Sequence, residues 1–271
     1  MNSIPLAGVI GHPISHSKSP ALHGFWLRRM GIKGHYIPMD IAPDDLASAL
    51  KMLPKLGFQG INVTIPHKEA VLALADIVTD AAAQIGAANT ITFLPDGRIH
   101  ADNTDGIGFM QNLRQNGWEP NGVAAVLGAG GAARAVIWAL LEAGVNEVRL
   151  SNRTRSRADT LQSVFGARLR IYDWDHTPDM LHGAMTVVNT TSLGMAGNGD
   201  FPFDFSALNP AAIATDIVYN PLETVFLQQA KARGCKTIDG LGMLLHQAAP
   251  GFARWFGEMP VVDQASRDVV L

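Results

Sequence analysis

Residues 123–142 constrain the fold more than any other stretch. Val123-Ala-Ala-Val-Leu127 is short and apolar, as a fully buried strand must be, and Gly128-Ala-Gly-Gly-Ala-Ala133 follows it without a spacer. A helical run, Arg134 to Glu142, comes next. Strand, glycine turn and helix in that order form the phosphate-binding half of a Rossmann unit. The glycines allow a tight turn and let backbone N–H groups at the helix start approach a pyrophosphate. Gly128, Ala129, Gly130, Gly131 and Ala132 are therefore candidate cofactor contacts. The second strand, Glu147 to Leu150, ends in Ser151-Asn-Arg-Thr154. No acid stands there to hold a free ribose 2′-hydroxyl. Arg153 stands there instead, about twenty residues past the turn, where a guanidinium can clamp a 2′-phosphate. This pattern predicts NADP as cofactor, with Arg155 or Arg157 able to share the task of Arg153. The alternative is a plain βα turn with a solvated arginine.

The 271 residues suffice for two modest domains, and 27 glycines suit an α/β protein with many tight turns. A net charge of −3, with both signs interspersed, predicts neither a nucleic-acid partner nor a polybasic membrane patch. Cys235 is the only cysteine, so no internal disulfide or cysteine-rich metal site can form. The N-terminus lacks the features of a secretory signal, and no apolar run is long enough for a membrane span. The expectation is a soluble cytoplasmic protein acting on small molecules.

Strands and helices alternate along the chain. Leu6 to Ile10, His35 to Met39 and Gly60 to Ile65 read as strands. Pro20 to about Met30, Pro43 to Leu56 and Pro66 toward Ala75 read as helices. Asn89 to Phe93 and Arg98 to Ala101 flank a Pro95-Asp-Gly97 turn and predict a hairpin. After a helix over Ile107 to Asn116 come the Rossmann strand and further βα units through Ala184–Asn189 and Ala214–Val218. A last helix is expected from Met243 to about Phe256. The predicted fold class is α/β, with two domains and catalysis in the cleft between them. Boundaries are expected near Thr104 and Asp239, with a mostly parallel sheet in the first part. Residues 105–239 would form the Rossmann NADP-binding domain.

Several polar residues could carry chemistry. Ser17 and Ser19 lie two apart in a stretch read as extended, so both hydroxyls could meet one anion; equally, Ser19 could simply cap a helix. Lys68 falls in the first turn of the helix expected after Pro66. There the helix dipole would favour the neutral amine, although a solvated lysine beside Glu69 is the simpler alternative. Asn62 and Thr64 alternate on one strand face and could reach a polyol. Asn89 is ambiguous alone, and Asp105 after Asn103-Thr104 could be an ordinary turn residue. The nine histidines show no metal-ligand spacing, so no metal is expected.

Together these motifs resemble the shikimate dehydrogenase family over nearly the whole chain. His16-Ser-Lys-Ser-Pro20 is similar to its substrate-carboxylate loop, and Asn62-Val-Thr-Ile-Pro-His-Lys68 to its catalytic lysine motif. Ala88-Asn-Thr90 and Asn103-Thr-Asp-Gly106 match the segments of the substrate asparagine and catalytic aspartate. Tyr219-Asn-Pro221, Asp239-Gly-Leu-Gly-Met243 and Gln247 complete the set. The resemblance implies reversible NADPH-dependent reduction of 3-dehydroshikimate to shikimate, in chorismate and aromatic amino-acid biosynthesis. It implies Lys68 and Asp105 as the catalytic pair. Ser17, Ser19 and Tyr219 would hold the carboxylate, and Asn62, Thr64, Asn89 and Gln247 the ring hydroxyls. Asn152-Arg-Thr154 matches its 2′-phosphate site, and Gly240 and Met243 would join the cofactor contacts. The resemblance also implies that residues 1–104 plus 240–271 form one N-terminal substrate domain. His67 departs from the phenylalanine of many relatives. A quinate/shikimate dehydrogenase also using NAD is the nearest rival reading. A non-catalytic ligand sensor is the rival from another class, and retention of both Lys68 and Asp105 argues against it. Either a monomer or a homodimer fits.

Overall fold

A computed structural model describes residues 4–194, 199 and 201–271. The chain divides into two compact units: residues up to 108 together with 245–271, and residues 109–244.

The first unit opens with β1 (Leu6–Gly11), α1 (Ser19–Arg29), β2 (His35–Asp40), α2 (Leu46–Met52) and β3 (Phe58–Val63). β4 (Ile77–Val78), α3 (Asp80–Ile85), β5 (Thr90–Phe93) and β6 (Ile99–Asp102) follow. Its six-stranded sheet has the order β2-β1-β3-β5-β6-β4. β1 runs parallel to both β2 and β3, whereas β5 is antiparallel to β3 and β6. The predicted hairpin is thus present, turned by Gly97 at φ +88°, a backbone region that favours glycine. Pro20 sits in the first turn of α1, and Leu22 and Trp26 point from that helix into the core.

The helix expected from Pro66 does not form. Only a short 3₁₀ turn, Ala70–Leu74, appears there, and Lys68 lies in the turn before it. The physical reason is that the carbonyl of Lys68 accepts from Ala88 N at 2.8 Å. Leu72 N turns instead to Glu69 O, three residues back, which is the 3₁₀ pattern. Ser17 and Ser19 are not in extended chain either. Lys18 between them has helical angles, and Ser19 is already the first residue of α1.

α4 (Asp105–Gln115) leads into the second unit, which contains β7 (Val123–Leu127), α5 (Gly131–Glu142), β8 (Val148–Ser151), α6 (Arg155–Phe165) and β9 (Leu169–Tyr172). It continues with α7 (Thr177–Leu181), β10 (Ala184–Asn189), β11 (Ile213–Asp216), α8 (Val225–Ala232) and β12 (Lys236–Ile238). The sheet order is β12-β11-β10-β7-β8-β9, with every pair parallel. From β7 the chain steps outward through β8 and β9, then returns to place β10 on the other side. The ends of β7 and β10 therefore mark the topological switch point, where open α/β sheets bind ligands. β7 is buried on both faces. Ala124 and Val126 enter one core cluster with Val136, Ile137 and Leu140 of α5, and Ala125 and Leu127 enter a second with Val187, Phe205 and Phe226.

α9 (Leu241–Phe256) closes the chain's return to the first unit, and α10 (Gln264–Asp268) follows it, so α9 is not the last helix. Among the described residues no helix is long and apolar enough to cross a membrane.

Candidate active site

In the first unit, polar residues far apart in sequence converge on Asp105, the first residue of α4. Lys68 Nζ donates to Asp105 Oδ2 at 2.6 Å, and Asn89 Nδ2 donates to Asp105 Oδ1 at 2.7 Å. The Asp105 side chain is 10% exposed and that of Lys68 25%, so the pair is sheltered with the amine nearer to solvent. The Asp105 backbone N–H is capped by Asn103 Oδ1 at 3.0 Å, the bond of an Asx turn. Asn103 in turn holds Ala87 O at 2.9 Å. The lysine is placed by contacts on both sides: Ala88 N on its carbonyl, and the buried ring of His67, whose Nε2 donates to Ile41 O at 2.8 Å.

Asn89 is the hub of this arrangement. Its Oδ1 accepts from Thr104 N at 2.8 Å and from Thr90 Oγ1 at 2.9 Å. Its Nδ2 also reaches Gln247 Oε1 at 3.1 Å, and Thr104 Oγ1 donates to Gln247 O at 2.8 Å. Gln247 is delivered by α9, which is fixed two turns further on by the Arg254–Asp102 ion pair. Thr79 Oγ1 and Asn103 N also donate to Asp102. Burial raises the Asp102 carboxyl, but these hydrogen bonds and the guanidinium outweigh it and bring it below its ordinary value.

Asn62 projects from β3 beneath this network. It accepts from Tyr36 OH at 2.6 Å and donates to Asn89 O at 3.1 Å. Burial pushes the Tyr36 phenol well up, opposed by a hydrogen bond with Ser19. Tyr36 stacks on His23, with ring centroids 3.8 Å apart and 11° between planes. Both ring nitrogens of His23 are buried without a hydrogen-bond partner, and burial lowers its pKa to about 3. Ser17 Oγ accepts from Ser19 N at 3.3 Å, so Ser17 rather than Ser19 closes the start of α1. Ser17 and Thr64 are half-buried.

The second unit holds a separate cavity of about 320 Å³ at its switch point. Gly128, Ala129, Gly130, Asn152, Arg153 and Arg157 line it, as the sequence suggested. The three glycines there do different things. Gly128 has φ +101°, and a Cβ on it would sit 2.7 Å from Thr190 Oγ1. The fold itself requires glycine at that position. A Cβ on Gly130 or Gly131 would meet nothing within 4 Å, and neither has a positive φ. Both positions face open space. Gly130 is also the N-cap of α5 and offers no side-chain cap, which leaves the N–H groups at the helix start open to an anion.

Arg153 and Arg157 are exposed and have no ion-pair partner among the described residues. Arg155, which the sequence left as a possible substitute, is bound to Asp159 and Asp173. Asn152 Oδ1 accepts from Ala129 N at 3.0 Å and so ties the end of β8 to the glycine turn. Thr154 is the N-cap of α6, and Ala132 lies in the first turn of α5. An uncapped helix start, an open glycine cradle and two unpaired guanidinium groups fit a dinucleotide with a 2′-phosphate.

Comparison with known proteins gives the same reading. The model of the shikimate dehydrogenase substrate binding domain matches residues 9–91, that of shikimate / quinate 5-dehydrogenase residues 119–194, and that of the shikimate 5′-dehydrogenase C-terminal domain residues 240–264. A shikimate dehydrogenase (NADP(+)) of Cereibacter sphaeroides is 64% identical over 99% of this chain and 97% of its own length. The chain belongs to the shikimate dehydrogenase family. Within that family, the shikimate 5-dehydrogenase of Thermus thermophilus, solved in complex with NADP(H) and shikimate, superposes with a TM-score of 0.88 at 39% identity, covering 99% of this chain and 98% of that one. A quinate dehydrogenase from Corynebacterium glutamicum, in complex with NAD, gives 0.91 at 34% identity, covering 99% of each.

Five residues expected at the cofactor do not line the cavity: Gly131, Ala132 and Thr154, which stand at the starts of α5 and α6, and Gly240 and Met243. Met243 packs in the core of the second unit, and Gly240 lies against the backbone of Ile217, where a Cβ would collide. The sequence reading missed Trp174 and Thr190 to Leu193, which complete the lining. Thr190-Thr-Ser192 directly after the buried strand β10 was the available signal, since polar residues at that strand end face the switch point.

Proposed function

We propose that this chain catalyses the reversible NADPH-dependent reduction of 3-dehydroshikimate to shikimate, the chorismate-pathway step toward aromatic amino acids, with Lys68 and Asp105 as its proton-handling pair. The observation that carries the reading is the Lys68–Asp105 contact at 2.6 Å, with Asn89 on the opposite carboxylate oxygen. Both oxygens of Asp105 accept hydrogen bonds within the chain, whereas the ammonium of Lys68 has donors left over after serving Asp105. Lys68 therefore stabilises the charge that grows on the ketone oxygen and donates the proton, and Asp105 orients it. In the direction of shikimate oxidation Lys68 takes that proton back. Bound NADPH supplies the hydride.

Ser17 and Ser19 bind the substrate carboxylate, and Tyr219 contributes a phenol that burial keeps neutral and donating. Thr64 and Gln247 take the ring hydroxyls together with Asn62 and Asn89, whose own orientations are fixed by bonds within the chain. Residues up to 108 with 245–271 serve as the substrate unit, and 109–244 as the NADP unit. There Gly130, Gly131 and Ala132 admit the pyrophosphate, and Asn152, Arg153, Thr154 and Arg157 surround the 2′-phosphate. Gly240 and Met243 act behind that surface by packing. The enzyme works in the cytoplasm as a monomer or homodimer, with no nucleic-acid or membrane partner.

The test is nicotinamide absorbance with purified protein, offering shikimate or quinate with NADP or NAD. Turnover confined to shikimate with NADP is expected. Turnover of quinate with NAD would move the assignment to the broader-specificity dehydrogenase, and no turnover by folded protein would overturn catalysis.

A further inference from the structure

Asp216, at the end of β11, is fully buried, and no Lys, Arg or His pairs with it among the described residues. Burial pushes its carboxyl up. Bonds from Thr224, Asn189 and the Val218 N–H act in the opposite direction. Asn189 is its register partner across β10 and β11, and Asn189 Nδ2 reaches Asp216 Oδ1 at 3.1 Å and Oδ2 at 3.0 Å. Thr224 Oγ1 donates to Oδ2 at 2.7 Å and Val218 N to Oδ1 at 2.9 Å.

A buried carboxylate without a counter-ion is costly unless several donors satisfy it, and its donors here belong to separate segments. Asn189 passes the orientation on. Its Oδ1 accepts from Thr191 N at 3.0 Å and Thr191 Oγ1 at 2.7 Å, and its Nδ2 also reaches Leu193 O at 3.3 Å. Thr191 Oγ1 then accepts from Leu193 N at 3.1 Å. Thr191 to Leu193 form one wall of the cavity assigned to NADP.

We infer that Asp216 is a positioning residue for cofactor binding: through Asn189 it holds the 191–193 wall in the shape that receives NADP, although it touches no ligand itself. The inference rests on the cofactor reading given above. An apolar residue would seal the same space between strands. A carboxylate there instead fixes the amide of Asn189 in one rotamer, because only Nδ2 can face it, and so obliges Oδ1 to face Thr191.

Titration calorimetry of NADP⁺ with the full chain, beside thermal melting, tests this. Asp216→Asn keeps the shape but turns one acceptor into a donor that opposes Asn189 Nδ2 or the Thr224 hydroxyl. NADP⁺ affinity is expected to fall about tenfold or more in protein that is still folded at the assay temperature. Thr191→Val, which removes the hydroxyl bonded to Asn189, should weaken NADP⁺ in the same way, and Thr191→Ser should restore it. A lowered Tm with unchanged affinity in Asp216→Asn would overturn the inference and leave the residue a merely structural role. If Asp216→Asn does not fold, the Thr191 pair decides, and equal affinity of Thr191→Val and the unmodified protein overturns it. Absence of NADP⁺ binding by the unmodified protein would overturn the cofactor reading itself, and this inference with it.

Discussion

The two candidate sites differ in how much of their polar chemistry is already committed within the chain. In the first unit Asp105, Asn89, Thr104 and Gln247 are bonded to one another, and Lys68 is fixed to Asp105. In the second unit the start of α5 has no cap, and Arg153 and Arg157 have no ion-pair partner among the described residues. Transferring a proton requires a distance and an angle set beforehand, because reorganisation during the reaction adds to the barrier. Holding a large ligand that carries its own phosphates requires donors kept open, since the ligand completes the network. One network is closed within the chain, and the other leaves its donors open among the described residues.

The sharpest way to break this comparison is Lys68→Ala. Turnover should fall by roughly two to four orders of magnitude, the range for loss of a general acid, while NADP⁺ affinity stays as it was. Near-normal kcat would remove Lys68 from the chemistry. Next in size, Arg153→Ala should weaken NADPH by roughly ten- to a hundredfold and barely change NADH, because only NADPH carries the 2′-phosphate. Equal losses for both cofactors, read from parallel KM measurements, would sink the 2′-phosphate assignment.

Gly130→Ser probes the same contrast with opposed signs. The side chain has room, and serine is a good N-cap, so thermal stability should rise by a few tenths of a kcal/mol. The hydroxyl would occupy the N–H groups kept for the pyrophosphate, and NADP⁺ binding should weaken about tenfold. A variant that binds as well as the parent would show that those donors serve no anion.

Much of this was legible in sequence, and unevenly. The glycine turn could be read because its requirements are local: a strand, a turn and a helix within twenty residues. Lys68 was singled out for a reason the structure does not sustain. The helix whose dipole was to act on it is absent, and its surroundings are set by Asp105, 37 residues away. The link from Asn89 to Gln247 spans 158 residues, and no periodicity encodes such a contact. Tyr36, Thr104 and Asp216 were not singled out, since their importance lies in which buried groups they meet.

The smallest effect concerns the aromatic floor of the substrate unit. His23 is held neutral by burial, with its pKa lowered from 6.5 to about 3. Between those values an unfolded chain binds a proton that the folded one refuses. Stability is therefore fully present above pH 6.5 and falls as pH drops through that window. His23→Phe should flatten the decline in urea-unfolding free energy between pH 6.5 and 4.5 by up to about 2 kcal/mol. It should leave kcat at neutral pH within about twofold. Parallel pH profiles for the two proteins would mean that His23 is not what makes the fold acid-sensitive.

The hub at Asn89 also bears on how long a molecule stays in working order. Its amide nitrogen lies 2.7 Å from a carboxylate oxygen of Asp105. Hydrolysis of that amide, in which water adds its oxygen to the carbonyl carbon as ammonia leaves, would give an acid of nearly the same shape, with two carboxylates facing each other and competing for one proton. The damaged enzyme would keep its outline and its cofactor cavity while losing the setting of its lysine. In an ageing preparation, catalytic activity and NADP⁺-binding capacity would then decline at different rates, and the gap between them would record the chemical age of one side chain.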